Sequence, residues 1–244
     1  MSDPIVDVRN LHKSFNGTPV LDGVDLQIDR GETVVVIGRS GCGKTVLLKH
    51  LIGLIRPDSG SIRIDGVELN GLDEPALNEV RLRIGMLFQE AALFDSMSVY
   101  HNVGFALHEH SDLDAGQIRA RVRQCLDAVG LGDLPDCSVD ELSGGMKKRV
   151  GLARAIAQDP DVLLYDEPTS GVDPMMADEI NGLIRQLSEQ LEVASAVVTH
   201  ELTDALAVAD RIALLESGVI ATEGQASAFE DLSDPAIRNF FTRR

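Results

Sequence analysis

The fold of this chain is decided by the stretch Gly38-Arg39-Ser40-Gly41-Cys42-Gly43-Lys44-Thr45. Glycines at this spacing let the backbone curl, so that successive N–H groups point inward at an anion. In such a loop Lys44 reaches the terminal phosphates, and the hydroxyl of Thr45 faces a magnesium ion. The stretch therefore predicts a loop that holds the phosphates of a nucleoside triphosphate.

The residues on either side of the loop have the pattern that this kind of loop requires. Residues 32–37 form a short run of mostly β-branched apolar residues, which predicts a buried strand. After the loop, apolar residues recur at helical spacing, and these are Val46, Leu47, Leu48, Leu51, Ile52 and Ile55. The phosphates would then lie at the N-terminus of a helix that begins near Gly43, where free N–H groups favour negative charge.

The composition is acidic, with 39 Asp and Glu against 22 Lys and Arg in 244 residues and a formal net charge of −17. This balance argues against direct binding of nucleic acid or of an anionic lipid surface, because both need clustered cations. The sequence has no apolar run of about 18 residues and does not begin like a signal peptide, so we expect a cytosolic chain. Three cysteines without metal-ligand spacing suit a reducing compartment.

Two kinds of strand pattern divide the chain. Near the N-terminus apolar and polar residues alternate, as in residues 61–69, where Asp65-Gly66 predicts a hairpin turn in an antiparallel sheet. Residues 162–165, 196–199 and 212–215 are instead continuous apolar runs, typical of a parallel sheet covered on both faces. From about residue 97 to residue 158 the pattern is helical, which predicts a helical subdomain inserted into one nucleotide-binding core.

Helix starts and a basic cluster stand out in and after this helical region. Ser143 and the pair Asp173-Pro174 are predicted to open helices. The basic cluster consists of Lys147, Lys148, Arg149 and Arg154. Two interpretations of it stay open, a solvated helix face and a role near phosphate.

Two adjacent carboxylates complete the predicted chemistry. Asp166 ends an apolar strand, and the carboxyl end of a parallel strand is where open α/β sheets bind ligands. There it would hold Mg²⁺ together with Thr45. Glu167 would polarise the water that attacks the γ-phosphate, while Lys44 and the metal neutralise developing charge. The alternative for Glu167 is an ordinary surface or helix-end acid.

The motif Leu142-Ser143-Gly144-Gly145-Met146, which lies shortly before Asp166, gives the chain a family resemblance. With the phosphate loop and the two carboxylates, it resembles the ATPase subunits of ATP-binding cassette (ABC) transporters over nearly its whole length. The resemblance implies one α/β ATPase domain over residues 1–244. Its expected parts are a P-loop core with a mixed sheet, an N-terminal antiparallel β subdomain, and a helical subdomain at about residues 97–158 that carries the motif.

The resemblance also implies roles for single residues, with ATP and Mg²⁺ as ligands. Phe15 matches the aromatic residue that stacks on adenine, Gln89 the glutamine that senses Mg²⁺ and γ-phosphate, and His200 the histidine that contacts the γ-phosphate. Asp173 matches a segment at the dimer interface, with a helix cap as the alternative. The nucleotide is expected to contact Gly38, Ser40, Gly41, Cys42, Gly43, Lys44, Thr45 and Val46.

Partners follow from the same resemblance. In this family two copies associate head to tail, so that Ser143, Gly144 and Gly145 of one copy would contact the ATP held by the loop of the other. A separate membrane permease is expected to dock near residues 89–100. Other members of the family work outside transport, in DNA repair or translation, but they carry long coiled coils or two cassettes, which this sequence lacks.

Three segments resemble one branch, the ATPases of MCE-type lipid transporters such as the Mla phospholipid system. They are residues 89–97, residues 143–149, and the C-terminal stretch 234–241 with Phe240 and Phe241. This branch implies an MlaE-like permease, MCE-domain and small accessory subunits, and a place on the cytoplasmic face of the bacterial inner membrane. The alternative is an ABC transporter for another cargo, such as an amino acid or a metal chelate.

Overall fold

The computed structural model describes residues 3–133, 136–230 and Ile237. The strands in these residues are β1 (Val6–Phe15), β2 (Thr18–Ile28), β3 (Thr33–Ile37), β4 (Ser59–Ile64), β5 (Val67–Glu68), β6 (Ile84–Leu87), β7 (Val162–Asp166), β8 (Ala194–Thr199), β9 (Arg211–Glu216) and β10 (Val219–Gln225). The α-helices are α1 (Lys44–Leu51), α2 (Glu74–Arg81), α3 (Val99–His110), α4 (Ala115–Ala128), α5 (Gly144–Ala155), α6 (Pro174–Leu191), α7 (Leu202–Val208) and α8 (Ala226–Glu230). A short 3-10 helix covers Val139–Glu141. Phe240 and Phe241 lie outside the described residues.

The strands form two sheets. One is antiparallel, in the order β2-β1-β4-β5, and the other is six-stranded, in the order β10-β9-β3-β8-β7-β6. In the larger sheet only β10 runs antiparallel to its neighbour, so the sheet is mixed. The hairpin predicted at Asp65-Gly66 is confirmed, because both residues have positive φ (47° and 76°) and Ile64 pairs with Val67.

The parallel strands of the six-stranded sheet are buried on both faces, as their continuous apolar runs predict, whereas β10 at the edge is exposed or half-buried along its length. Along β3, Val35 and Ile37 belong to a core shared with helices α3 to α6, whereas Val34 and Val36 belong to a core shared with the antiparallel sheet and α1. Successive side chains of a strand point to opposite faces, so one strand supplies both cores. The mixed sheet and the antiparallel N-terminal sheet agree with the predicted fold class.

Capping residues set the starts of the helices between β6 and β7. Ser98 accepts a hydrogen bond from the N–H of His101 at the start of α3, and Asp114 forms a capping box with Gln117 at the start of α4. Ser143 caps α5 by accepting from the N–H of Met146, as predicted. Among the described residues, no helix combines the length and apolar character that crossing a bilayer requires.

Candidate functional site

The loop between β3 and α1 has the close backbone packing that its glycines allow. Gly41 and Gly43 have φ of 80° and 109°, a region that favours glycine. A Cβ on Gly38 would lie 2.5 Å from Sγ of Cys42 and 2.6 Å from the backbone oxygen of Leu215 in β9. The loop is therefore pressed against the neighbouring strand and turns directly into the N-terminus of α1.

Lys44, the first residue of α1, points back across the loop. Its side chain is only 5% exposed, and its Nζ donates to the backbone oxygen of Gly38 at 2.8 Å. The same Nζ lies 3.2 Å from Oε1 of Glu167. The ammonium thus sits where it can exchange these partners for phosphate oxygens.

Thr45 and Asp166 bring two oxygen ligands together. Asp166 ends β7, and its Oδ1 accepts a hydrogen bond of 2.9 Å from the hydroxyl of Thr45. Burial raises the pKa of Asp166 above its usual range. Hard cations such as Mg²⁺ bind through oxygen atoms, and a buried carboxylate with a destabilised charge is suited to accept one. The residues present therefore fit a magnesium ion.

Glu167 occupies a special backbone position directly after β7. Its φ of 46° lies in the left-handed region, and its N–H donates to the backbone oxygen of Val198 in β8 at 2.9 Å. Its Oε2 lies 2.8 Å from Nδ1 of His200, whose Nε2 is 3.3 Å from Oε1 of Glu201. Non-glycine residues held in this region are uncommon and often functional, because surrounding contacts must maintain the strain.

An open pocket of about 490 Å³ joins these groups. It is lined by Lys44, Thr45, Gln89, Glu167 and His200, together with other loop residues. The rest of its wall comes from Ser40, Gly41 and Gly43 of the loop, Val20 of β2 and Val46 of α1. Nine residues that the sequence predicts for nucleotide binding or hydrolysis, from four separate segments, therefore face one space.

Gln89 and Phe15, two residues whose roles the resemblance predicts, differ in where they lie, because Gln89 lines this pocket and Phe15 does not. The side chain of Gln89 donates from Nε2 to Oγ of Ser170 at 3.4 Å, so it reaches toward the segment after Glu167. Phe15, at the end of β1, is 41% exposed, and Nζ of Lys13 lies 5.5 Å from its ring centroid. Burial raises the pKa of the Cys42 thiol, which keeps it protonated and fits a small filler in the loop.

Ser143, Gly144 and Gly145 do not line this pocket. Ser143 and Gly144 are exposed at the start of α5, and Gly145 is buried beside Met176. The helix cap predicted as the alternative for Asp173 is confirmed, because its Oδ1 accepts from the N–H of Met176 at 3.0 Å. An exposed helix N-terminus with glycine N–H groups is free to meet an anion brought by another molecule.

The positions of two residues in the basic cluster on α5 contradict the interpretation of this cluster as a solvated helix face. A solvated helix face is wrong for Lys148, which is 5% exposed and donates to the backbone oxygens of Gln89 and Glu167. It is also wrong for Arg154, which donates to the backbone oxygens of Ala91 (2.6 Å) and Ala92 (2.7 Å). The helical pattern gave no sign of these partners, because they lie far away in the chain. Gln89, Ala91 and Ala92 come about sixty residues earlier, and Glu167 comes 19 residues after Lys148.

Asn102 is a buried polar residue that sequence reasoning missed. It is fully buried, its Oδ1 accepts from the N–H of Phe94 at 2.8 Å, and its Nδ2 donates to the backbone oxygens of Phe94 and Ser98 at 3.1 Å. A signal was available, since Asn102 is a polar residue on the apolar face of α3. It fixes the loop that precedes this helix.

The fixed loop forms part of a groove beside the helices. Ala91 and Ala92 have positive φ (60° and 47°), and Phe94 is 44% exposed with its ring centroid 5.1 Å from that of Phe105. A groove of about 710 Å³ runs past Phe88 and Phe94 toward α2. Phe88 and Phe94 therefore border the groove, and Asn102 holds the backbone of Phe94 by hydrogen bonds.

Comparison with known proteins identifies the family. Residues 21–170 match the family profile described as ABC transporter. This chain is an ABC transporter ATPase. Its fold supports the assignment, because it superposes with a TM-score of 0.83 on a dimeric ATP-binding cassette bound to ADP and Pi, at 30% identity over 91% of this chain and 98% of that one.

Three further relatives carry names that bear on the biology. Structurally, cbiO1 from Clostridium perfringens, part of an ABC transporter complex, matches with a TM-score of 0.87 at 29% identity over 99% of this chain and 96% of that one. A relative from Arabidopsis thaliana named protein TRIGALACTOSYLDIACYLGLYCEROL 3, chloroplastic, is 42% identical over 99% of this chain and 74% of its own length. The probable ribonucleotide transport ATP-binding protein mkl from Mycobacterium leprae is 39% identical over 98% of this chain and 69% of its own.

Proposed function

We propose that this ABC ATPase drives transport of phospholipid by an MCE-type or Mla-type system. The observation that carries the proposal is the 42% identity, over 99% of the chain, with a plant protein named after a lipid. The branch-like segments at residues 89–97 and 143–149 favour the same cargo class.

A second candidate is transport of another cargo. It is favoured by the mkl relative named for ribonucleotide transport, and by a Brucella abortus methionine import protein that is 41% identical over 91% of this chain. That match covers 60% of the methionine import protein. The cargo does not have to touch the ATPase, so the residues of this chain do not select between the two cargo classes. The names of the relatives support one or the other only through sequence similarity.

For the chemistry, we propose that Glu167 is the general base for the attacking water. The contact of Glu167 with His200 at 2.8 Å would orient the carboxylate, and His200 would contact the γ-phosphate. Thr45, Asp166 and Gln89 would hold Mg²⁺, which supplies positive charge to the phosphates. Lys44 would exchange Gly38 and Glu167 for the terminal phosphates, and Phe15 would stack on adenine.

The second half of the site would come from another copy of this chain. Ser143, Gly144 and Gly145 are away from the pocket, at the exposed N-terminus of α5. In a head-to-tail dimer they would close on the ATP that the partner copy holds, with Asp173 near the interface. The dimeric state of the related cassette bound to ADP and Pi supports this arrangement.

The permease would dock on the groove beside Phe94. We propose that residues 97–158 act as a helical subdomain in one ATPase domain, and that a short helix of an MlaE-like permease lies between it and the core. This contact would hold the ATPase on the cytoplasmic face of a bacterial inner membrane, with MCE-domain and accessory subunits in the same assembly.

The cargo is tested by purifying the ATPase with the membrane subunits that copurify with it and reconstituting them in proteoliposomes. A phospholipid transporter transfers labelled phospholipid in an ATP-dependent manner and leaves labelled methionine and ribonucleotides untouched. Movement of either solute without lipid transfer contradicts the lipid proposal and supports the second candidate.

The docking site is tested with Phe94→Asp, which places a charge in the aromatic groove. This variant should lose copurification with the permease and cargo transport, while the isolated subunit keeps its basal ATPase activity. The matched control is Leu54→Asp, because Leu54 is also an exposed apolar residue (52%) but does not line the groove. Loss of basal ATPase activity in Phe94→Asp alone would instead show that Phe94 supports the ATPase core.

A further inference from the structure

Lys148 connects three segments that the proposed reaction uses. It lies on α5, five residues after the cap Ser143, and its Nζ donates to the backbone oxygen of Gln89. The same Nζ lies 3.4 Å from the backbone oxygen of Glu167. The helix that carries the motif, the loop that leads to the groove and the proposed general base therefore meet at one ammonium group.

These contacts form a closed ring. The backbone oxygen of Glu167 also accepts from the N–H of Ser170 at 3.1 Å, and the hydroxyl of Ser170 accepts from the side chain of Gln89 at 3.4 Å. The ring thus runs from Lys148 to Glu167, to Ser170, to Gln89 and back. A closed ring of hydrogen bonds restricts its members more than the same bonds would separately.

Burying the ammonium group of Lys148 costs free energy, which argues that this residue has a role in the protein. The residue is 5% exposed, and burial lowers its pKa, while Asp166, Glu167 and Glu90 act in the opposite direction. A buried ammonium is retained only where acceptors and opposite charges stabilise it. Here the acceptors are carbonyls of the two residues whose side chains face the nucleotide pocket.

We infer that Lys148 is a positioning residue, which holds the backbones of Gln89 and Glu167 in register with α5 so that the carboxylate is placed for hydrolysis. This role rests on the proposed function of Glu167 as general base. Because α5 begins at the motif that would clamp the partner's nucleotide, displacement of this helix shifts Glu167 and the groove loop together. The side chain of Lys148 thereby connects closure of the dimer on ATP with the loop that leads to the groove beside Phe94.

The test is Lys148→Met, which keeps the length and apolar stem of the side chain but removes its donors. We expect kcat of the ATPase to fall by roughly tenfold to a hundredfold, as for a small misplacement of a catalytic group. The KM for ATP and the ATP-induced rise in the unfolding midpoint should stay near the wild-type values. Lys148→Arg, which restores charge and donors, should recover most of kcat. Lys147→Met is the matched control on the same helix and should resemble the wild type.

Two results overturn the inference. One is a kcat of Lys148→Met equal to that of the wild type, and the other is loss of ATP binding together with kcat, which indicates a folding role. If Lys148→Met does not fold, Lys148→Arg decides alone, since a folded Arg variant with a kcat more than about tenfold lower overturns the inference. Glu167→Gln, assayed in parallel, separates this failure from failure of the proposed function, because full turnover without the Glu167 carboxylate rejects the general base itself.

Discussion

Nζ of Lys44 lies 3.2 Å from Oε1 of Glu167, so the phosphate-loop lysine and the carboxylate after β7 form an ion pair with little exposure to solvent. The other carboxylate oxygen contacts His200. Both oxygens of Glu167 therefore have partners before a nucleotide arrives. A γ-phosphate would take Lys44 as its own partner and leave the carboxylate free to accept a proton from water.

Glu167→Gln removes the proposed general base while keeping the shape of the side chain. We expect ATPase turnover to fall by at least about a hundredfold, because the amide cannot accept the proton from water. ATP binding should persist, and size-exclusion chromatography with ATP should show a trapped dimer. Glu189→Gln is the control, since Glu189 is an exposed acid on α6. Unchanged turnover in Glu167→Gln would reject the catalytic role.

Asp166→Asn tests the cost of the buried carboxylate. Burial raises the pKa of Asp166 in the folded chain. As pH rises above about 3.9, the ordinary pKa of an Asp side chain, the carboxyl therefore ionises first in the unfolded chain. The folded state then loses stability until the pH passes the raised pKa of the folded chain. Without nucleotide, Asp166→Asn should therefore unfold at a higher temperature than the wild type at pH 7. That advantage should vanish below about pH 4, where the carboxyl of Asp166 becomes neutral in the folded and in the unfolded chain.

Asp166→Asn should also bind ATP with Mg²⁺ less tightly than the wild type. Asn keeps an oxygen for the hydroxyl of Thr45 but lacks the charge that favours a divalent cation. Addition of ATP with Mg²⁺ should therefore raise the unfolding midpoint of the wild type more than that of Asp166→Asn. A variant that is less stable at pH 7 without nucleotide would contradict this account of Asp166.

Asn102→Ala tests whether the groove loop is fixed from within. The substitution leaves the backbone groups of Phe94 without their buried partner, so the free energy of unfolding should fall by about 2 to 3 kcal/mol in urea denaturation. Asn70→Ala is the control, because Asn70 makes one exposed hydrogen bond to Gly60 and should change stability by less than about 1 kcal/mol. Equal effects of the two variants would show that Asn102 does not hold the loop.

The parts of the site that sequence predicts are those set by local pattern and by simple topology. The phosphate loop is contiguous with β3 and α1, so residues 32–55 contain all the signals for strand, glycine turn and helix. Asp166 could be placed because carboxyl ends of parallel strands share one edge of a sheet. The caps at Ser143 and Asp173 follow from side-chain chemistry within three residues.

The parts that sequence does not predict depend on backbone groups far along the chain. Lys148 and Arg154 belong to a basic cluster on one helix, yet both donate to carbonyls that lie 59 to 63 residues earlier. Ala91 and Ala92 adopt positive φ, although alanine gives no sequence signal for this conformation, as glycine would. Such positions are determined by tertiary contacts, which override the local preference of the residue.

The central claim is that two copies of this chain complete each ATP site, and it is tested by ATPase activity per chain measured across a dilution series. The wild type should lose specific activity on dilution, and Ser143→Ala should be low at every concentration. Asp114→Ala is the control for the lost helix cap, because Asp114 caps α4 in a similar way. Specific activity that is constant on dilution and equal in Ser143→Ala would contradict the claim.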